Sequence, residues 1–131
     1  EKIQKIADAS EQDFIALAQY VVVVCSSPAR TVTAYGEKGK KYLHQQAGAA
    51  IQNFLLKIQD KGLATCWIGY FNDDKIKREL RIPHDIEVEA LFPVGYSVGK
   101  PKMKHTIEID SILYFNRYKE TRMKPLKKLE V

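Results

Sequence analysis

The sequence predicts an α+β fold, a mixed sheet flanked by helices, on three observations. Tyr20-Val21-Val22-Val23-Val24-Cys25 is a continuous, largely β-branched run, which reads as a strand. Between Tyr42 and Lys61, Leu43, Ala47, Ala50, Ile51, Phe54, Leu55 and Ile58 recur at steps of three and four, a broad apolar stripe of the kind a helix buries. Farther on, Ile86, Val88 and Ala90 alternate with Glu87 and Glu89 and run into the apolar stretch Leu91–Tyr96, a second long strand. The resulting order, helix, strand, helix, helix, strand, strand, lacks the regular alternation of a parallel α/β sheet. A chain of 131 residues fits one domain, and 45% hydrophobic with 28% charged residues is globular rather than disordered composition.

In chain order, Glu1–Ala9 is short helix, with Ile3 and Ile6 on one face, and Ser10-Glu11-Gln12-Asp13 resembles a capping box opening a second helical turn. The strand at Tyr20–Cys25, apolar at every position, is expected to be covered on both faces and its cysteine buried; Ser26-Ser27-Pro28 ends it. Arg30–Lys41 is polar, contains Gly36 and Gly39, and is expected to be a connecting loop. Its Gly36-Glu37-Lys38-Gly39-Lys40-Lys41 is no phosphate loop, because that motif needs four residues between its glycines and a Ser or Thr after its Lys. After the long helix, Gly62 stands where a left-handed capping residue belongs, with Lys57 and Lys61 complementing the helix dipole. Leu63–Phe71 is too apolar for a solvated loop but has no clean period. Asn72 then caps a short helix with Asp73 and Asp74 in its first turn and Ile76 and Leu80 facing inward. Pro93 marks an edge or a bulge in the second strand. Ser97–His105 is a basic loop, Ile112-Leu113-Tyr114-Phe115 a short closing strand, and 117–131 a basic tail. Three strands make a thin sheet, so further strands are expected from upstream residues or a partner subunit.

The chemistry legible in single residues is sparse. Two distant cysteines, Cys25 and Cys66, form no C-x-x-C pair, which favours a reducing, cytoplasmic setting over a disulfide framework. No run of 18 apolar residues suggests a membrane span. A net charge of +5 suits a phosphate-bearing ligand, but no nucleic-acid module accompanies it, and nucleic acid is not an expected partner. His44, His84 and His105 stand alone, with no metal-binding spacing, and no metal site is expected. There is no G-x-S-x-G elbow, and Asp73-Asp74 is explained by its helix terminus. No catalytic side chain emerges. What remains is a binding constellation: the apolar segment Gly62–Phe71 and the basic loop Lys100-Pro101-Lys102-Met103-Lys104, suited to a ligand with a flat ring at one end and a phosphate at the other.

Three blocks resemble the nitroreductase family. They are Gln46-Ala47-Gly48-Ala49-Ala50-Ile51-Gln52-Asn53-Phe54-Leu55-Leu56; Lys61-Gly62-Leu63-Ala64-Thr65-Cys66-Trp67-Ile68-Gly69-Tyr70-Phe71; and Phe92-Pro93-Val94-Gly95-Tyr96 with Lys100-Pro101. Ile112-Leu113-Tyr114-Phe115-Asn116-Arg117-Tyr118 is similar to that family's closing strand, and Phe14–Cys25 is a weaker match. The resemblance implies an intertwined homodimer holding FMN at its interface, with the central helix packed on its two-fold mate along Ala47–Ala50. It implies cofactor contacts from Trp67, Ile68, Gly69 and Tyr70, with the Gly69 and Tyr70 N–H groups facing the flavin edge, and from Lys102 and Lys104 at the phosphate. By the same resemblance NAD(P)H reduces the flavin, which then reduces a nitro compound, a quinone or another small acceptor; relatives use the fold for dehalogenation, flavin breakdown or dehydrogenation. The sequence departs from the family at its start. Nothing in Glu1–Ser10 resembles the arginine- and serine-rich phosphate-binding segment, so half an FMN site is encoded. That leaves open an upstream region carrying the other half, to which a start at Glu1 without Met points, or a dimeric fragment without flavin.

Overall fold

A strand needs a hydrogen-bonded partner and a cover for its apolar face, and both requirements shape this chain. The computed structural model describes residues 1–99 and 105–122, in two compact units, Glu1–Gly99 and Lys100–Val131. In the first, helix α1 (Lys2–Ser10) leads through a short 3-10 turn (Asp13–Leu17) into strand β1 (Tyr20–Ser26). Helices α2 (Pro28–Tyr35) and α3 (Glu37–Asp60) follow, then β2 (Ala64–Thr65), α4 (Asp73–Leu80) and β3 (Glu87–Gly95). The sheet has the order β1-β3-β2 and is antiparallel throughout. The architecture is the expected α+β.

β3 is the central strand, and its register against β1 slips once. Val24 opposes Ala90 and Cys25 opposes Val88, so Glu89 bulges out of the ladder. The bulge changes which face each later side chain takes. Val88 and Leu91 join Ile6, Ala7, Ile15, Ile68 and Ile76 in a core under α1 and α4. Ala90 and Phe92 join Ile51 of α3, with Phe54 and Leu55 against them. Helices therefore cover both faces of β3, and Ala90, Leu91 and Phe92 are all fully buried.

Several expectations are met by local chemistry. Gly62, at φ 68°, ends α3 in a Schellman arrangement: the Leu63 N–H donates to Ile58 O at 3.1 Å and the Gly62 N–H to Gln59 O at 3.0 Å. Asn72 caps α4, its Oδ1 accepting from the Lys75 N–H at 3.0 Å.

Others are corrected. Residues 28–41 are helical: Pro28 starts α2, Gly36 at φ 57° turns the corner, and Gly39 lets the two helices touch. Ser10 opens no capping box; it is the last residue of α1, buried, and its hydroxyl donates back to Ile6 O at 2.8 Å. β1 is an edge strand whose Tyr20 and Val22 remain exposed, and Cys25 is exposed as well. Partial burial of its sulfur still raises the Cys25 thiol, with Lys77 lowering it and Glu89 adding to the rise. Pro93 lies inside the central strand, not at an edge. It is tolerated because β2 pairs only with Gly95 and Val94 and stops one residue short of it. Ile112–Phe115 is not a strand; it follows a 3-10 turn (Ile109–Ser111), and no ladder partner exists for it among the described residues of its unit.

Candidate functional site

The segment after α3 is pinned along its length, which explains its lack of period. Thr65 Oγ1 donates to Pro93 O at 2.7 Å, and Ile68 exchanges two backbone hydrogen bonds with Leu91, each 3.0 Å. The Asn72 N–H donates to Ala9 O at 2.8 Å, fixing the far end. Between those anchors the chain follows neither a helix nor a strand. Ile68 points into the core at 2% exposure, and its N–H and C=O are both taken by Leu91, so it anchors the loop. Trp67 is half exposed, with its indole 5.8 Å from the Phe92 ring, and Tyr70 is exposed. The N–H groups of Gly69 and Tyr70, on the exposed crest between Ile68 and Asn72, donate to no acceptor among the described residues. Two free donors thus stand on a turn held at both ends, flanked by an indole and a phenol. Of the predicted cofactor-binding residues, the structure thus brings Trp67, Gly69 and Tyr70 together at the surface, with Ile68 beneath. Lys102 and Lys104 lie outside the described residues.

The same elements also form an open groove of about 560 Å³. One wall is Phe14, Leu17, Ala18 and Gln19; the other runs along Ala64–Cys66 and Pro93–Tyr96. That volume is in the range of small-ligand sites. Its described walls carry no carboxylate, imidazole or ammonium group; their polar side chains are those of Gln19, Thr65, Cys66 and Tyr96. Sequence reasoning missed this groove. Leu17 and Tyr96 are not among the residues expected to bind a ligand, yet Leu17 is 88% and Tyr96 82% exposed. The available signal was a pair of large apolar residues next to polar Gln19 and Ser97, at the ends of elements where packing partners run out.

Comparison with known proteins gives a consistent result. The model of the nitroreductase family matches residues 1–96. A protein of Methanocaldococcus jannaschii provisionally named a nitroreductase is 36% identical over 90 residues, 69% of this chain and 44% of its own length. The chain thus spans less than half of that curated relative. A nitroreductase family protein from Clostridium novyi NT superposes with a TM-score of 0.66 at 27% identity, covering 91% of this chain and 65% of that one. Two more distant structures share the fold. One is a nitroreductase family protein of Streptococcus pneumoniae (TM-score 0.77, 20% identity, 88% and 75% covered). The other is an NADPH:FMN oxidoreductase of Vibrio harveyi complexed with NAD⁺ (0.77, 21%, 91% and 56%).

Proposed function

Because this chain belongs to the nitroreductase family, we propose that it supplies part of the FMN site of an NAD(P)H-dependent oxidoreductase acting on a nitro compound, a quinone or another small acceptor. The carrying observation is the pinned turn: Gly69 and Tyr70 present unpaired N–H donors beside the exposed Trp67 and Tyr70 rings. These groups fit a flavin, whose ring is flat and whose edge accepts hydrogen bonds. When bound, FMN would supply the redox chemistry, hydride transfer between a nicotinamide and the acceptor. The protein's part is to hold the ring, through the two N–H groups and the indole, and to hold the phosphate through Lys102 and Lys104. Donors fixed in advance stabilise negative charge at the ring edge without reorganising. No protein acid or base is required by this division of labour.

A homodimer belongs to the same proposal. Ala49 and Ala50 are exposed on α3 beside the half-buried Ala47 and Gly48, and Leu56 is 60% exposed one face along, a surface on which a second copy of α3 could lie close. A flavin-free dimeric fragment is the second reading, and one observation favours it. The first ten residues are committed to the core through Ile6, Ala7, Ala9 and Ser10 and offer no phosphate site.

Titrating the chain with FMN, followed by the visible absorbance of the flavin and by sedimentation, tests the proposal. Bound, spectrally shifted flavin on a dimer is the expected result, weakened by about 2–4 kcal/mol in the double variant Lys102→Ala/Lys104→Ala through loss of charge-assisted contacts. Unchanged affinity in that variant would remove both lysines from the site. No shift at any flavin concentration would leave the flavin-free reading.

A further inference from the structure

His44 is isolated in sequence but not in space. Its ring reaches from α3 across to β3, with Nδ1 at 3.0 and 3.1 Å from the two Glu89 carboxylate oxygens and Nε2 at 3.6 Å from Glu87 Oε2. One ligand atom from each of the three residues can be chosen so that all lie within 4.8 Å of one another. We propose that His44, Glu87 and Glu89 form a binding site for a divalent first-row transition-metal ion, with water completing its shell.

Three features carry this. The first is geometry. An ion with bonds of about 2.0–2.2 Å places neighbouring ligand atoms about 3–3.5 Å apart. Nδ1 already stands 3.0 Å from Glu89 Oε2. Because one imidazole nitrogen serves one ion, Glu87, which faces Nε2 at 3.6 Å, joins by a side-chain rotation from a starting set whose ligand atoms lie within 4.8 Å of one another. The second is construction. The bulge at Glu89 and the two-residue spacing put both carboxylates on the α3 side of β3. Glu89 is held there with only 12% of its side chain exposed, and its Oε1 accepts from the Ser26 hydroxyl. A hydroxyl orienting a carboxylate from behind is the support that metal ligands commonly have. The third is charge. Among the described residues no Lys or Arg pairs with Glu87 or Glu89; His44 is their sole cationic partner. With a neutral imidazole the cluster carries two uncompensated carboxylates, one of them largely buried, and a divalent cation balances both. One imidazole with two carboxylates suits manganese, iron or zinc over calcium or magnesium. His44 and Glu87 are half exposed, which leaves an entry path and open coordination positions.

In the metal-free chain the same ring serves as a clamp: its hydrogen bond to Glu89 raises the His44 pKa, ahead of a smaller lowering by desolvation and further raising by the charges of Glu89 and Glu87. A clamp alone needs no ion, and the test separates the two. The chelator-treated full chain is titrated with Mn²⁺, and the free ion is read by electron paramagnetic resonance. Manganese is the probe because it disfavours the thiol of nearby Cys25. The expected result is one Mn²⁺ per chain, bound about tenfold or more weakly in His44→Gln and in Glu87→Gln, unaltered in Cys25→Ser, and displaced by Zn²⁺. Glu87 is exposed enough for its amide to leave the fold intact, which the thermal midpoint without metal verifies. Absence of bound Mn²⁺ at millimolar concentration, or equal binding by wild type, His44→Gln and Glu87→Gln, overturns the proposal. FMN plays no part in the measurement, so failure of the flavin reading leaves it standing.

Discussion

Gly39→Ala is the substitution whose effect the structure specifies most closely. Gly39 lies in the first turn of α3, where α2 folds back over it. A Cβ at that position would stand 2.4 Å from Thr31 O, 2.7 Å from Thr31 C and 2.8 Å from Val32 Cα. These are backbone atoms of a helix, so no side-chain rotation relieves the clash, and α2 must lift by roughly an ångström or detach. Overpacking of this kind costs about 1–3 kcal/mol, and the rigidity of the opposing atoms argues for the upper half. Alanine's helix preference returns up to about 1 kcal/mol, leaving a net loss of about 1–2 kcal/mol. Gly48→Ala is the matched control. It sits in the same helix, nothing lies within 4 Å of its added Cβ, and it should stabilise the monomer by up to about 1 kcal/mol. Urea unfolding at a dilution where sedimentation shows a monomer should therefore move the two midpoints in opposite directions. With a slope of about 1–3 kcal/mol per molar, the Gly39 variant should fall by roughly 0.3–2 M. The edge-to-face pair of Tyr35 and Tyr42, 5.4 Å apart across the Gly36 corner, adds a near-ultraviolet contribution that depends on the seating of α2 on α3 and is isolated by difference against Tyr35→Phe. Equal midpoint shifts in the same direction, with that signal unchanged, would refute the seating of α2 on α3.

Thr65→Val removes the hydroxyl that donates to Pro93 O at 2.7 Å at nearly constant volume; a loss of about 1 kcal/mol in denaturant midpoint is expected, together with faster amide exchange at Ile68. Asn72→Ala removes the cap of α4 but keeps its backbone bond to Ala9; a loss of about 1 kcal/mol is expected by the same assay, and restoration by Asn72→Asp would identify capping as the cause.

How much of this was legible in the sequence depends on whether the signal was local. The apolar stripe of α3, Gly62 as its cap and Asn72 before α4 rest on contacts within a few residues; the two caps appear as read, and the stripe does except at Ala50, which is exposed, and at its start, which lies at Glu37. The stretch 28–41 failed because two glycines have two unlike roles. Gly36 is a conformational break, with φ 57°, whereas Gly39 is a steric allowance for a helix adjacent in space. Composition shows both as loop punctuation. β1 failed for another reason: four consecutive valines announce a strand but not its place in the sheet. Exposure of Tyr20 and Val22 follows from β3, not β1, taking the centre. The stretch Gly62–Phe71 stood out in the sequence through its block as a whole, while the groove wall facing Ala64–Cys66 did not, because Phe14, Leu17 and Gln19 come from an element some fifty residues earlier.

The bulge at Glu89 ties these results together, and no periodicity could have shown it. Read as a regular strand, Val88, Ala90 and Phe92 would share one face, and Glu87, Glu89 and Leu91 the other. With Leu91 on the α1–α4 face, both carboxylates would lie beside it in that core; with Val88 on that face instead, Leu91 would leave the core and Phe92 would leave α3. One residue outside the ladder resolves both conflicts. Leu91 turns to the α1–α4 core and exchanges its backbone bonds with Ile68, anchoring the loop from below. Phe92 turns to α3, meets Phe54 at 5.3 Å and supports the Trp67 indole at 5.8 Å. The carboxylates turn to His44. The anchoring of the candidate flavin loop and the assembly of the candidate metal site are thus two outcomes of a single slip in register.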